Sequence, residues 1–199
     1  MDDVYAGLSR NRPEVEMEFS NQQKLIITLL TDIHEKLEVT NSVNPEFVQR
    51  MVNSNNGWAL SWAYPGLFES SDEIPSQVGF VADVLDMWES IEIAYSNLSA
   101  DEVAALEQAA PVFGRAPAFP GFDGNNEPDL RNIVSIFIND LDRWSAFRGR
   151  DTNSHVENAS GYRRMRQVYD EVIGDSYDFN PTVPQLAAIL NERVHPSNR

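Results

Sequence analysis

Six of the chain's fifteen cationic residues are arginines that lie between Arg143 and Arg166. Only Asp151 and Glu157 oppose them, so this basic segment has a net charge of +4 in a chain whose formal net charge is −16. A guanidinium group binds carboxylate or phosphate through two parallel N–H groups. We therefore expect a small anion, if one binds, to bind here. The alternative is that the arginines pair with the many carboxylates around them. The six are Arg143, Arg148, Arg150, Arg163, Arg164 and Arg166.

Catalytic and metal-binding patterns are otherwise absent from the sequence. The histidines at positions 34, 155 and 195 have none of the spacings that place two imidazoles on one helix face, and the chain has no cysteine. Asp123 to Asn126 resembles the start of a calcium loop, but Val134 stands where the loop needs a glutamate. The sequence thus predicts no catalytic residue, metal or cofactor. Whether the chain is an enzyme stays open, and a non-enzymatic role is favoured.

Paired carboxylates and tryptophans offer two weaker candidates. Glu89 and Glu92 lie in an otherwise apolar helical segment, where burial could tune one of them for acid–base chemistry. A structural role is the favoured alternative for both. The four tryptophans are flanked by apolar residues at helical spacing, which indicates core packing rather than an exposed stacking surface.

Composition narrows the class of partner. An acidic chain repels phosphate backbones, so the net charge argues against nucleic-acid binding. No apolar run is long enough for a membrane helix. The acidic N-terminus resembles neither a signal nor a transit peptide. Together with the lack of cysteine, this favours a cytoplasmic protein.

The sequence predicts that these residues lie on helices and on the loops between them. Apolar residues recur at helical spacing in several segments that open with capping residues or proline. Residues 58–64 alternate like a strand, but a short helix is favoured because a lone strand would have no partner. Pro111–Gly121, with three prolines and two glycines, predicts an ordered loop. The predicted helices cover about 21–38, 45–53, 58–64, 75–98, 100–109, 128–147, 160–173 and the segment after Thr182.

The predicted fold is all-α, a single non-repetitive helical bundle of about seven or eight helices. Residues 1–16 are predicted to be an acidic, poorly ordered extension, and residues 17–199 a single domain. The chain has no internal repeat, and the loop at 111–121 is too short to mark a domain boundary.

Several short motifs follow one another in a fixed order along the chain. They are Tyr95–Leu98 (YSNL), Gly121–Asp123 (GFD), Arg143–Phe147 (RWSAF) and His155–Ala159 (HVENA), with FSNQQKLI at Phe19–Ile26 and LAAILN at Leu186–Asn191. Together they resemble the YfbU-like family of bacterial proteins over roughly residues 17–191. The resemblance implies an all-α, cytoplasmic protein whose biochemical activity is unassigned. The chain departs from the family pattern in the extension 1–16 and in extra residues around 100–118.

The family motif positions sharpen the candidate site. Asp123, Arg143, His155 and Asn158 match them, and with Arg148 they form the predicted anion- or ligand-binding set. Structural roles are the alternative, with Asp123 capping the following helix and His155 and Asn158 fixing the loop 148–159 through hydrogen bonds to its own backbone. The favoured function is a non-enzymatic regulatory or protein-interaction module that acts as a homo-oligomer. The alternative is an enzyme or sensor for a small anion at the basic segment.

Overall fold

In the computed structural model, residues 19–40, 42–67, 74–173 and 181–198 are described. They form eight α-helices and no strand, so the all-α prediction is confirmed. The predicted extension 1–16 lies outside the described residues. The helices are α1 (Asn21–Lys36), α2 (Pro45–Asn53), α3 (Trp58–Ala63), α4 (Ser76–Ser96), α5 (Ala100–Ala109), α6 (Pro128–Ser135), α7 (Ala159–Ile173) and α8 (Val183–Asn191).

The chain divides into two compact units, Met1–Ser76 and Gln77–Arg199. Each unit is described by itself below, and the single domain over residues 17–199 stays a prediction. Among the described residues, no helix is both long and apolar enough to span a bilayer.

In the first unit, α2 and α3 supply the buried helical residues, and α1 packs on α2. The Asn44 side chain accepts a hydrogen bond from Phe47 N at 3.0 Å, which caps α2 as its sequence predicts. Phe47, Met51 and Val52 are buried. Residues 58–63 are helical, so the preference for a helix over a strand is confirmed, and Trp58 is buried.

Helix α1 packs with its more polar side. The Ser20 side chain and Gln23 form the predicted capping box at its start. The half-buried residues of α1 are Lys24, Ile27, Thr28, Thr31 and His34. Lys24 Nζ donates to Asn55 Oδ1 at 2.7 Å, just beyond α2. The large aliphatic residues lie on the other side and are exposed, which is the reverse of an ordinary amphipathic surface helix.

In the second unit, the long helix α4 contributes more buried residues than any other described helix. Its inward residues are fully buried, and Trp88 is 0% exposed. Helix α8 packs on both α5 and α7. Helix α5 opens with a capping box between Ser99 and Glu102, and α8 with one between Thr182 and Gln185, both as predicted. The buried residues of α4 are Val78, Val81, Val84, Leu85, Met87, Trp88, Ile91 and Ala94.

The prediction of one helix over residues 128–147 is wrong in its second half. Helix α6 ends at Ser135 and continues as a π-helical turn, Ile136–Asp140, closed by Leu141 N donating to Ile136 O at 3.0 Å. The chain then reverses, because Asp142 and Trp144 adopt left-handed backbone conformations with φ of 55° and 44°. Apolar residues continue at helical spacing through this reversal, and that pattern caused the error.

The reversal is held by the Trp144 ring. Its centroid lies 4.9 Å from that of Phe137 in an edge-to-face contact, and its Nε1 donates to Asp86 Oδ1 at 2.8 Å. Residues Ser145–Phe147 then form one 3₁₀ turn, with Phe147 buried. A straight helix would carry the Trp144 indole away from both partners, so these contacts favour the observed turn.

Candidate functional site

Two loops meet at the centre of the second unit. Phe122 N donates to Thr152 O and Ser154 N donates to Phe122 O, each at 3.1 Å, which pairs a short stretch of parallel extended backbone. Gly121 begins the first loop with φ of +87°, and a Cβ built on it would lie 1.9 Å from Thr152 O. Glycine is therefore required here both for its backbone conformation and for the close approach of the second loop.

The Asp123 carboxylate orders the turn that leads into α6. It is buried and accepts hydrogen bonds from Asn125 N at 2.9 Å and Asn126 Nδ2 at 2.5 Å. These bonds lower the pKa of Asp123, that from Asn125 N most strongly, with a smaller contribution from the charge of His155. The structure thus brings Asp123 near His155 and keeps Asp123 ionised as a hydrogen-bond acceptor.

Glu127 closes the same turn and caps the start of α7. Its carboxylate accepts from Asp123 N at 2.9 Å, from Asn158 N at 3.0 Å and from Ala159 N at 2.7 Å. Helix N-termini favour negative charge because their first N–H groups lack partners within the helix. One carboxylate therefore joins the first loop to the first turn of α7.

A third set of contacts extends from Asn158 to Arg193, just beyond α8. Asn158 is buried, with Nδ2 donating to Gly121 O at 3.3 Å and Oδ1 accepting from Arg193 Nη2 at 3.2 Å. The Tyr162 hydroxyl also donates to Gly121 O, at 2.8 Å. Burial raises the pKa of Tyr162, so the phenol stays protonated and acts as a donor. We call Gly121, Glu127, Asn158, Tyr162 and Arg193 the polar junction.

The Arg193 side chain contacts two aromatic rings beside the polar junction. Its guanidinium carbon lies 4.2 Å from the centroid of the Phe113 ring and 5.8 Å from that of Trp88. Burial lowers the pKa of Arg193, but an arginine remains charged at neutral pH. The junction therefore contains a partly buried cation whose polar contact is a neutral amide.

The five predicted site residues fall into two groups. Asp123, His155 and Asn158 lie together at the loop pair, His155 exposed with φ of 54° and the other two buried. Arg148 lies elsewhere in this unit, where Nη2 donates to Ile138 O at 3.2 Å and pairs with Asp142. Arg143 is exposed at the end of the π-helical turn, and its backbone N–H donates to Phe137 O at 2.9 Å.

The other arginines of the basic segment bind separate parts of the second unit. Arg150 pairs with Glu92 at 2.8 Å, and Arg166 pairs with Asp170 at 2.8 Å. Arg164 Nε donates to Glu192 O at 3.0 Å at the end of α8. Arg163 stacks on Phe80 at 4.5 Å. That these arginines gather around an anion stays a prediction, whereas their contacts with separate partners are those of structural residues.

Glu92 has structural partners, and Glu89 differs from it. The Glu92 carboxylate accepts from Phe119 N at 2.8 Å and holds the Pro111–Gly121 loop against α4. Burial raises the pKa of Glu89, with smaller contributions from the charges of Asp86 and Glu92. The contacts of Glu92 are those of a structural residue, and an acid–base role for Glu89 stays a prediction.

Sequence reasoning missed Glu127, Tyr162 and Arg193. Glu127 had a signal, because an acidic residue directly before Pro128 is well placed to serve a helix start. Tyr162 lies one helical turn after Asn158, a spacing that puts both on one face of α7. Arg193 follows an apolar helix as a single cation, and nothing in its local pattern points to Asn158.

The fold and junction define a class: an all-α protein whose central loops are tied together by a buried polar network. A model of the YfbU domain matches residues 17–191, so the chain belongs to the YfbU family. No curated protein matches the chain. Membership of this family specifies neither a reaction nor a ligand.

Proposed function

We propose that the protein is a non-enzymatic interaction module that self-associates through one side of α1. The supporting observation is a continuous set of large aliphatic side chains that are 54–69% exposed. We call this set the outer face of α1. Its members are Leu25, Ile26, Leu29, Leu30, Ile33 and Leu37.

The outer face is distinct from the side of α1 that packs on α2. With 3.6 residues per turn, its six residues fall within less than half of the helix circumference. Thr31 lies on the opposite side, where its hydroxyl donates to Ile27 O and Thr28 O at 2.9 Å. A helix that packs by its polar side leaves its apolar side available for a partner.

The area of the outer face fits a protein interface. At about 25 cal/mol per Å² and roughly 1.5–3 kcal/mol per buried aliphatic side chain, each residue offers on the order of 100 Å². Six such residues approach the roughly 800 Å² per partner of a standard interface. They also reach the upper end of the roughly 300–600 Å² that the largest contiguous apolar patch of a typical monomer covers.

The spacing favours a second copy of the same helix as the occupant. Ile26, Leu30, Ile33 and Leu37 follow one another at intervals of four, three and four residues. This is the seam at which two helices pack side by side with their apolar residues interlocked. A closed two-fold pair buries the same face on both copies and leaves none exposed.

Sedimentation velocity on the full chain tests this proposal. We expect wild-type protein at micromolar concentration to sediment as a multiple of 22.5 kDa. Ile33→Glu should convert it to monomer, because pairing would bury a carboxylate in each copy. Ile93→Glu is the matched control, since Ile93 is 56% exposed on α4 and Ile33 is 54% exposed on α1.

Two results would contradict the proposal. A wild-type protein that stays monomeric at these concentrations would mean that the outer face is covered by another occupant. An Ile33→Glu protein that keeps the wild-type mass would place the association elsewhere on the surface. Equal loss of assembly in both variants would also count against α1, because it would show a general effect of added charge.

An anion-binding enzyme or sensor at the basic segment is the second function that the sequence suggests. It receives less support, because Arg148, Arg150, Arg164 and Arg166 are already engaged with carboxylates or backbone carbonyls. An anion there would have to compete with those partners.

A further inference from the structure

Leucine and isoleucine alternate along the seam of the outer face of α1. In repeats of seven residues, the apolar seam of packed helices occupies the first and fourth positions, called a and d. The interval from a to d is three residues, and the interval from d to the next a is four. Leu30 and Leu37 therefore occupy a. Ile26 and Ile33 occupy d.

This order of residues favours a bundle of more than two helices. A β-branched residue at a with leucine at d favours two helices, whereas leucine at a with isoleucine at d shifts the preference to three or four. The preference arises because side chains at a and d approach the neighbouring helix at different angles. A side chain branched at Cβ is stiff and fits only one of the two angles in each type of bundle. The seam of α1 has the order that two helices disfavour.

The width of the outer face favours the same conclusion. Leu25 and Leu30 lie about 140° apart around the helix axis. A seam of a and d positions alone is narrower, whereas a helix of a bundle carries a third apolar position in each repeat, at e or g. Leu29 occupies g and is 54% exposed. Because each helix of a four-helix bundle packs on two neighbours, it needs a face of this width.

We propose that four copies of the chain assemble through α1, with the four outer faces forming the core of one helical bundle. Tetramers are the commonest closed assemblies after dimers, which favours four copies over three. The a and d residues fill the centre of this bundle, and Leu29 lies at the contact between neighbouring helices. This inference rests on the self-association proposed above, to which it adds the number of copies.

Size-exclusion chromatography coupled to light scattering measures the number of copies for the full chain. We expect wild-type protein at micromolar concentration to have four times the 22.5 kDa of one chain. In an exchange variant, the leucines and isoleucines of the seam replace one another. The composition is then unchanged, but the order becomes the one that favours two helices, so the mass should fall to half that of wild type. The exchange variant combines Ile26→Leu, Leu30→Ile, Ile33→Leu and Leu37→Ile.

A single substitution tests the contribution of the third apolar position. Leu29→Gln leaves every a and d residue in place but puts an amide at the contact between neighbouring helices, so it should also halve the mass. Ile93→Gln is the matched control, since Ile93 is 56% exposed on α4 and Leu29 is 54% exposed on α1. The control should keep four copies. Far-UV circular dichroism confirms that each variant retains the helix content of wild type.

The wild-type mass separates this inference from the self-association on which it rests. Two or three copies would keep the self-association and overturn the tetramer, whereas a single copy would overturn both. Four copies in wild type and in the exchange variant alike would also overturn the inference, because the tetramer would then form through another surface. The same holds if Leu29→Gln keeps four copies, or if Ile93→Gln loses them equally. If a variant does not fold, the wild-type mass still decides whether four copies assemble.

Discussion

The Glu127 carboxylate and the Ala159 backbone N–H are 2.7 Å apart, although 32 residues separate them along the chain. The same carboxylate accepts from Asn158 N, so two N–H groups at the start of α7 share one anion. A charged side chain in this position both satisfies those groups and interacts favourably with the helix dipole. Glu127 therefore fixes where α7 begins relative to the loop that precedes α6.

Replacing this carboxylate by an amide should lower stability measurably. In Glu127→Gln one oxygen is replaced by an NH₂ group that cannot accept, and the negative charge is lost. We expect a loss of about 1–3 kcal/mol in the free energy of unfolding, measured by urea denaturation at neutral pH. Glu157→Gln removes a charge from an exposed residue nearby and should cost less than about 0.5 kcal/mol. Equal losses in the two variants would show that the cap contributes nothing specific.

Gly121 and Gly149 both have positive φ, but a side chain would clash with another loop only at Gly121. Comparing the two positions therefore distinguishes the cost of backbone strain from that of a steric clash. Gly121 has φ of +87° with Thr152 O only 1.9 Å from a built Cβ, whereas Gly149 has φ of +77° and nothing within 4 Å. We expect Gly149→Ala to cost about 1–2 kcal/mol from the left-handed conformation alone. Gly121→Ala should cost more than about 4 kcal/mol, or prevent folding, because the second loop must also move. Thermal and urea denaturation measure the free energy of unfolding of both variants. Similar losses would mean that the second loop moves away from the added methyl group at little cost.

Asp123 should make stability depend on pH in a defined direction. Its folded-state pKa lies below the ordinary value of 3.8, so the unfolded chain binds its proton more readily. The stabilisation is present above pH 3.8 and is lost as the pH falls from there through the folded-state pKa. The urea midpoint of wild type should exceed that of Asp123→Asn at pH 7, and the gap should narrow below pH 3.8. Asp32→Asn, at an exposed position on α1, controls for one lost charge. A gap that widens on acidification would reverse the assignment.

Local sequence signals predicted most of the helices because each signal acts within one turn. Ser20, Ser99 and Thr182 each accept a hydrogen bond from the backbone N–H three residues later in the sequence. Such caps can be predicted without knowledge of the rest of the chain. The end of the helix that begins at Pro128 could not be predicted from the local sequence. Its reversal depends on Asp86, which is 58 residues from Trp144, and no local pattern records that contact.

Only those residues of the candidate site that bond to nearby backbone could be predicted from the sequence. Asp123 and Asn158 carry side chains that commonly bond to nearby backbone, and their motif positions pointed to both. The contacts of the arginines were not predictable, because residues that are neighbours in sequence can contact distant parts of the fold. Arg164 reaches the end of α8 and Arg150 reaches α4, while Arg193 reaches Asn158 from 35 residues away.

The π-helical turn at Ile136–Asp140 determines where this chain can tolerate a change in length. A turn with bonds from i to i+5 holds one more residue than an α-helical turn between the same two ends. Removing one residue there returns a regular α-helix and leaves α6 in its present orientation. Removing one residue within α6 would rotate the residues beyond it by about 100° and carry Ile133 and Val134 off the buried side. Single-residue insertions and deletions among relatives should therefore collect in this turn.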